Sequence, residues 1–319
     1  MAFRILLLLV LFATVAGAWW FWSTPKRPSA DAVTAAYATP LTPPDGPISV
    51  FHLGHSLVGR DMPAMLMQLA DAGLGTTGHD YASQLGWGTS LMDHWEPEIP
   101  INGFETENAH DRFRPAQEAI KSGDYDAVVL TEMVELRSAI RYHDSAKYLP
   151  LWADLVRDAS PDTRIYLYET WHKLDDPDGW LNRLDNDLAA LWEEKILFAD
   201  LARNPDNPIL VIPAGQVMAR LTRKMQENGG IDGLKGPEDL FSRNEDGTLD
   251  TIHLNDIGNY LVALTHYAVL YGRSPVGLPH ALKKSDGAPA IAPTSDAARI
   301  MQETVWATVT AYPKTGVAR

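Results

Sequence analysis

What most constrains this chain is the alternation of short apolar runs with longer amphipathic ones along its body. Candidate strands stand at Ile48–Leu53, His79–Gln84, Asp126–Thr131, Arg164–Glu169 and Ile209–Ile212. Several are continuous apolar stretches, the pattern of strands covered on both faces. Helical spacing fills the intervals at about 61–73, 112–122, 144–158, 180–203 and 214–227, and returns at 256–271 and 296–311. Such alternation predicts an α/β fold on a mainly parallel, five-stranded, doubly wound sheet. A length of 319 residues accommodates one large domain or two ordinary ones. With no internal repeat and no convincing second unit, the reading is one α/β domain over residues 48–319.

Composition narrows the function. The formal net charge is −14, from 41 acidic against 27 basic residues, so the basic face that a nucleic-acid binder needs is missing. Cysteine is absent. That removes disulfides, zinc-thiolate sites and Cys nucleophiles, and leaves His, Asp, Glu, Ser and Thr for chemistry. His52 and His55 have no acidic cluster beside them at metal-ligand spacing, and no phosphate-cradling glycine loop occurs. Neither a metal nor another cofactor is expected.

The segment 1–22 reads as a targeting element. Arg4 precedes an uncharged apolar run, Ile5–Trp22, followed by Lys26 and Arg27. Ala16-Gly17-Ala18 has the small-x-small form that signal peptidase accepts, consistent with a cleaved signal peptide. The run also approaches the length of a membrane span, with Trp19, Trp20 and Trp22 suited to an interfacial belt. Both readings, signal peptide and membrane attachment through residues 5–22, place the remainder outside the cytoplasm. Residues 23–47, rich in Pro, Ala and Thr, read as a linker.

Two blocks carry the chemistry. In Val50-Phe51-His52-Leu53-Gly54-His55-Ser56-Leu57 an apolar strand runs into Ser56 shortly before a helix, which puts Ser56 at the carboxyl end of a strand. Open α/β folds bind ligands there, and a backbone N–H beside such a serine is free to hold an anion. Taken alone, Ser56 would be an ordinary turn or N-cap residue. The second block is Asp250-Thr251-Ile252-His253-Leu254-Asn255, read as a loop before the last long apolar helix. A carboxylate three residues before a histidine can fix its tautomer, so that the imidazole activates a serine.

Together these blocks resemble the SGNH (GDSL-like) hydrolase family over about residues 48–272. Gly54-His55-Ser56-Leu57 matches the family's serine block, with His55 in place of the usual Asp or Asn, and Asp250 and His253 match the last block. The resemblance implies a flavodoxin-like three-layer α/β/α fold and a catalytic triad of Ser56, His253 and Asp250. Leu85-Gly86-Trp87-Gly88-Thr89-Ser90-Leu91 looks like the second block, which makes Gly88 an oxyanion donor beside Ser56. The third block departs from the family: Leu130-Thr131-Glu132-Met133 has no Asn. Thr131, or a backbone N–H near it, is the remaining candidate for a third donor. Glu132 would either brace the N–H groups of the Ser56 loop or be protonated by burial and donate. His94, Trp95 and Trp171 are candidate substrate contacts, since a Trp face suits a sugar ring.

The resulting expectation is an exported serine esterase acting on O-acyl, above all O-acetyl, groups of a small-molecule or polysaccharide substrate. Two alternatives share the fold. One transfers the acyl group to a sugar, and the other is a non-catalytic envelope glycan-binding protein, favoured by the missing Asn. The sequence leaves the oligomeric state open.

Overall fold

The computed structural model of this protein describes residues 27–319, so the signal or anchor reading of 1–22 lies outside the described residues. Five parallel strands form the central sheet: β1 (Ser49–Leu53), β2 (Asp80–Gln84), β3 (Ala127–Leu130), β4 (Arg164–Glu169) and β5 (Leu210–Pro213). Their order is β2-β1-β3-β4-β5. Interior strand residues such as Phe51, Leu53, Leu130, Leu167 and Ile212 are buried, as a sheet covered on both faces demands. Helices Asp61–Leu74, Ala214–Asn228, Asp256–Leu270 and Ser295–Val309 pack with one another as one covering layer. Leu91–Trp95, Ala116–Lys121, Ser145–Ala159 and the π-helical turns of Leu188–Leu197 pack as the other. The fold is thus a three-layer α/β/α sandwich, as expected.

Some boundaries differ from the sequence reading for physical reasons. The helix expected from residue 112 begins at Ala116, because residues 112–114 lie extended beside β2. Ser83 N donates to the Arg112 carbonyl at 2.9 Å and Arg114 N to the Ser83 carbonyl at 3.2 Å. The segment carrying Asp250 and His253 is a strand rather than a loop: β7 (Leu249–Leu254) pairs antiparallel with β6 (Phe241–Arg243) outside the main sheet. The described part of the stretch read as a linker, 27–47, is packed on the domain. Ala30–Ala36 is a helix capped by the Ser29 side chain. Buried Tyr37 donates its hydroxyl to the Ile209 carbonyl at 2.9 Å, and Leu41 N donates to the Gly316 carbonyl at 2.8 Å.

Strand order fixes where ligands meet the domain. From β1 the chain builds outward in both directions, so the crevice between β1 and β3 opens at the strands' carboxyl ends. The turns after β1, β2, β3 and β4 all emerge along that edge, and β7 lies across it.

Candidate active site

The turn after β1 is held from several sides. Gly54 N donates to the Gln84 carbonyl at 3.2 Å, and Thr131 N to the Leu53 carbonyl at 3.1 Å. His55 is buried, its Nε2 bonded at 2.9 Å to the Glu132 carbonyl, while its Nδ1 accepts from Leu57 N at 3.3 Å. These partners fix the Nε2–H tautomer. Accepting from the N–H two residues on is the local bond an Asp or Asn side chain makes in a turn, so His55 substitutes for that residue type. Burial drives its pKa down to about 4, against the pull of the Glu132 carbonyl and with help from His253, so the ring is neutral.

Held in this turn, Ser56 meets the histidine of β7. Ser56 Oγ lies 3.0 Å from His253 Nε2, and His253 Nδ1 lies 2.8 Å from Asp250 Oδ2. Asp250 Oδ1 accepts the N–H groups of Ile252 and His253 at 2.9 and 3.0 Å. Burial raises the Asp250 pKa, but the two N–H groups and the imidazole outweigh it and hold the carboxyl below its ordinary value. It therefore stays ionised and keeps the His253 proton on Nδ1, leaving Nε2 a free base toward Ser56.

Ser56, Gly88 and His253 open into one cavity of about 610 Å³. Gly88 has φ +56° and open space where a side chain would stand. Neither its N–H nor that of Ser56 has a protein acceptor among the described residues. Both groups are thus available to a bound anion.

The other expected contacts resolve differently. Thr131 cannot be an oxyanion donor: its hydroxyl gives its proton to the Tyr168 carbonyl at 2.8 Å, and its N–H is spent on Leu53. His94 is not in the cavity but beneath it. It donates from Nε2 to the Gly54 carbonyl at 2.8 Å and accepts at Nδ1 from Gln84 at 2.9 Å. Burial holds its pKa down to about 4. Trp95 packs edge-on against Trp152 at 4.9 Å. Trp171 is buried and donates Nε1–H to the Ile252 carbonyl at 2.8 Å, which steadies the strand carrying His253. None of the three lines the cavity; His94 and Trp171 hold the backbone that carries Ser56 and His253.

Glu132 is fully buried, and its carboxyl is turned away from the Ser56 loop. Oε1 accepts from Met133 N at 2.8 Å and Leu91 N at 3.3 Å, so only the Glu132 carbonyl, through His55, touches that loop. Burial pushes its pKa up to about 7, with help from the Asp93 charge and against those two bonds and the Ser145 hydroxyl.

Sequence reasoning missed most of the cavity wall. Trp87, Glu107, Glu135, His172, Lys173 and Asp176 line it. Trp87 lay within the Leu85–Leu91 block and could have been found there. Glu135 and Asp176 are tied to buried Arg183 at 2.5 and 2.8 Å, and His172 Nε2 lies 3.1 Å from Asp187, contacts without a local sequence signal. Among the described residues, no three His, Asp or Glu side chains converge on a metal position.

No family model and no curated protein matches this sequence. Among solved structures, the chain is similar to a DUF4886 family protein from Bacteroides uniformis, at 15% identity and a TM-score of 0.57. That match covers 84% of this chain and 96% of the other, and it shows a shared fold. A gut microbial diltiazem-metabolizing enzyme matches at 12% identity and a TM-score of 0.40, over 73% of this chain and 49% of its own length.

Proposed function

We propose that this chain is an exported serine esterase of the SGNH (GDSL-like) type, hydrolysing O-acyl esters, above all O-acetyl groups on carbohydrate. One observation carries the reading: the continuous contact from Ser56 through His253 to Asp250, at 3.0 and 2.8 Å, opening into a cavity. His253 Nε2 takes the Ser56 proton as Oγ attacks the acyl carbonyl, and ionised Asp250 stabilises the imidazolium. The N–H groups of Ser56 and Gly88 hold the negative oxygen, each such donor being worth about 3 kcal/mol of barrier. His253 then protonates the departing alcohol. In the second half-reaction it activates a water that releases the acid and restores Ser56.

Hydrolysis is preferred to transfer because the His253 side chain is 46% exposed, so water reaches the base. A transferase must keep water out. Export is supported by Arg4 and the Ile5–Trp22 run. Among the described residues no helix is long and apolar enough to cross a membrane. The test is acetate release from ethyl acetate and from penta-O-acetylglucose by the purified protein. The account expects turnover that Ser56→Ala abolishes. Equal rates with and without Ser56 would overturn it. Fractionation of cells expressing the full chain should find the protein outside the cytoplasm, and an uncleaved cytosolic form would contradict export.

A further inference from the structure

Trp87 is half exposed, yet its backbone, its indole N–H and one ring face are all held. Its backbone N–H donates to the Asn102 carbonyl at 2.7 Å, and its Nε1–H donates to Glu107 Oε1 at 2.7 Å. One face of the indole lies on Gly103, where a Cβ would stand 2.2 Å from Cδ2 and 2.5 Å from Cε2. Gly103 also has φ +69°, so contact and backbone both require glycine there. The segment beneath is clipped to the end of β2: buried Asn108 accepts from Leu85 N at 3.0 Å and donates to the Leu85 carbonyl at 2.8 Å. Arg60, which follows the nucleophile turn, holds the Thr106 and Glu107 carbonyls. The indole is therefore a fixed plate on a residue 50% exposed, next to Gly88 on the wall of the cavity that holds Ser56. A Trp fixed beside a nucleophile offers a ligand a large flat apolar face.

We infer that Trp87 and Glu107 form the subsite for the alcohol part of the ester, stacking the C–H face of a pyranose on the indole while Glu107 accepts a ring hydroxyl. This rests on the acyl-ester reading above and assigns its specificity. Trp87 offers one flat face, which suits a ring. A quaternary ammonium is usually held by a cage of several aromatics, and Trp87 is the one Trp, Tyr or Phe among the described residues lining this cavity. Oε1 of Glu107 is engaged by the indole, which orients the carboxylate and leaves Oε2 for a hydroxyl.

Two readouts test this. In the Ser56→Ala protein, cellotetraose, xylotetraose and chitotetraose are titrated against tryptophan fluorescence. At least one should give saturable quenching that is lost in Ser56→Ala/Trp87→Ala. In the active protein, Trp87→Ala and Glu107→Gln should each raise KM for 6-O-acetylglucose, which keeps its ring hydroxyls free, by about tenfold. They should lower the preference for that ester over ethyl acetate, measured as the ratio of kcat/KM values. No quenching by any of the three sugars, or an unchanged ratio, would overturn the subsite. So would selective loss of acetylcholine turnover in Trp87→Ala, which would make the plate a cation site. Failure of the esterase reading is separate: the wild type would then release no acetate, while the sugar titration still reports on the plate.

Discussion

The carboxyl of Glu132 offers a quantitative probe of the wall behind the nucleophile turn. Burial lifts its pKa from 4.5 to about 7, so the folded state holds this proton more tightly than the unfolded chain does. Its contribution is therefore most favourable below pH 4.5 and is lost as the pH rises through 7. Glu132→Gln keeps an oxygen for the N–H groups of Met133 and Leu91 and never ionises. The new amide faces the buried Ser145 hydroxyl, which interacts with the Glu132 carboxyl and can accept the amide N–H. With those two pKa values, raising the pH from 5 to 8.5 should cost the wild type about 2.5 kcal/mol that the variant does not share. Urea unfolding of both proteins at the two pH values measures this. Taking variant minus wild type at each pH cancels the titration of all other groups. The variant should gain about 2.5 kcal/mol relative to wild type on going to pH 8.5. An equal stability difference at both pH values would show that Glu132 is not a buried, late-ionising acid.

Ser56→Ala and His253→Ala should each lower kcat/KM on ethyl acetate by roughly a thousandfold or more, and the double variant should lose little beyond either, because the two act as a unit; multiplying losses in a double-mutant cycle would contradict this. Asp250→Asn presents an amide N–H to Nδ1 and so drives the His253 proton to Nε2, where it blocks the base; a fall in kcat of about 10⁴-fold with a folded circular-dichroism spectrum is expected, and a fall under tenfold would remove Asp250 from the machinery. Buried His94 has its pKa lowered from 6.5 to about 4, so the stability it contributes is present above pH 6.5 and lost as the pH falls toward 4, by about 3 kcal/mol. His94→Gln should make acid unfolding shallower, and an unchanged acid limb would refute the assignment.

The sheet was legible because several strands are short apolar runs bounded by turn residues, and all five observed strands fall within one or two residues of the sequence reading. The β6–β7 hairpin was not, since Leu249–Leu254 carries polar residues and buries little beyond Leu254. Ser56, His253 and Asp250 stood out because the spacing of Asp and His is local and the serine follows a strand. The surrounding wall depends on contacts between distant segments. His94 and Trp171 looked like pocket residues because they follow strand ends. Their ring N–H groups instead found the carbonyls of Gly54 and Ile252, a choice set by tertiary packing. Thr131 shows the same limit: nothing beside it in sequence reveals that the Tyr168 carbonyl, 37 positions away, takes its hydroxyl proton.

The central claim is that Ser56 is a nucleophile activated by His253. Incubation with a fluorophosphonate, followed by peptide mass spectrometry, tests it without knowledge of the natural substrate. One phosphonyl adduct on Ser56 is expected, absent in Ser56→Ala and formed far more slowly in His253→Ala. No adduct on the folded wild type, or an adduct on another residue with Ser56 untouched, would contradict the account.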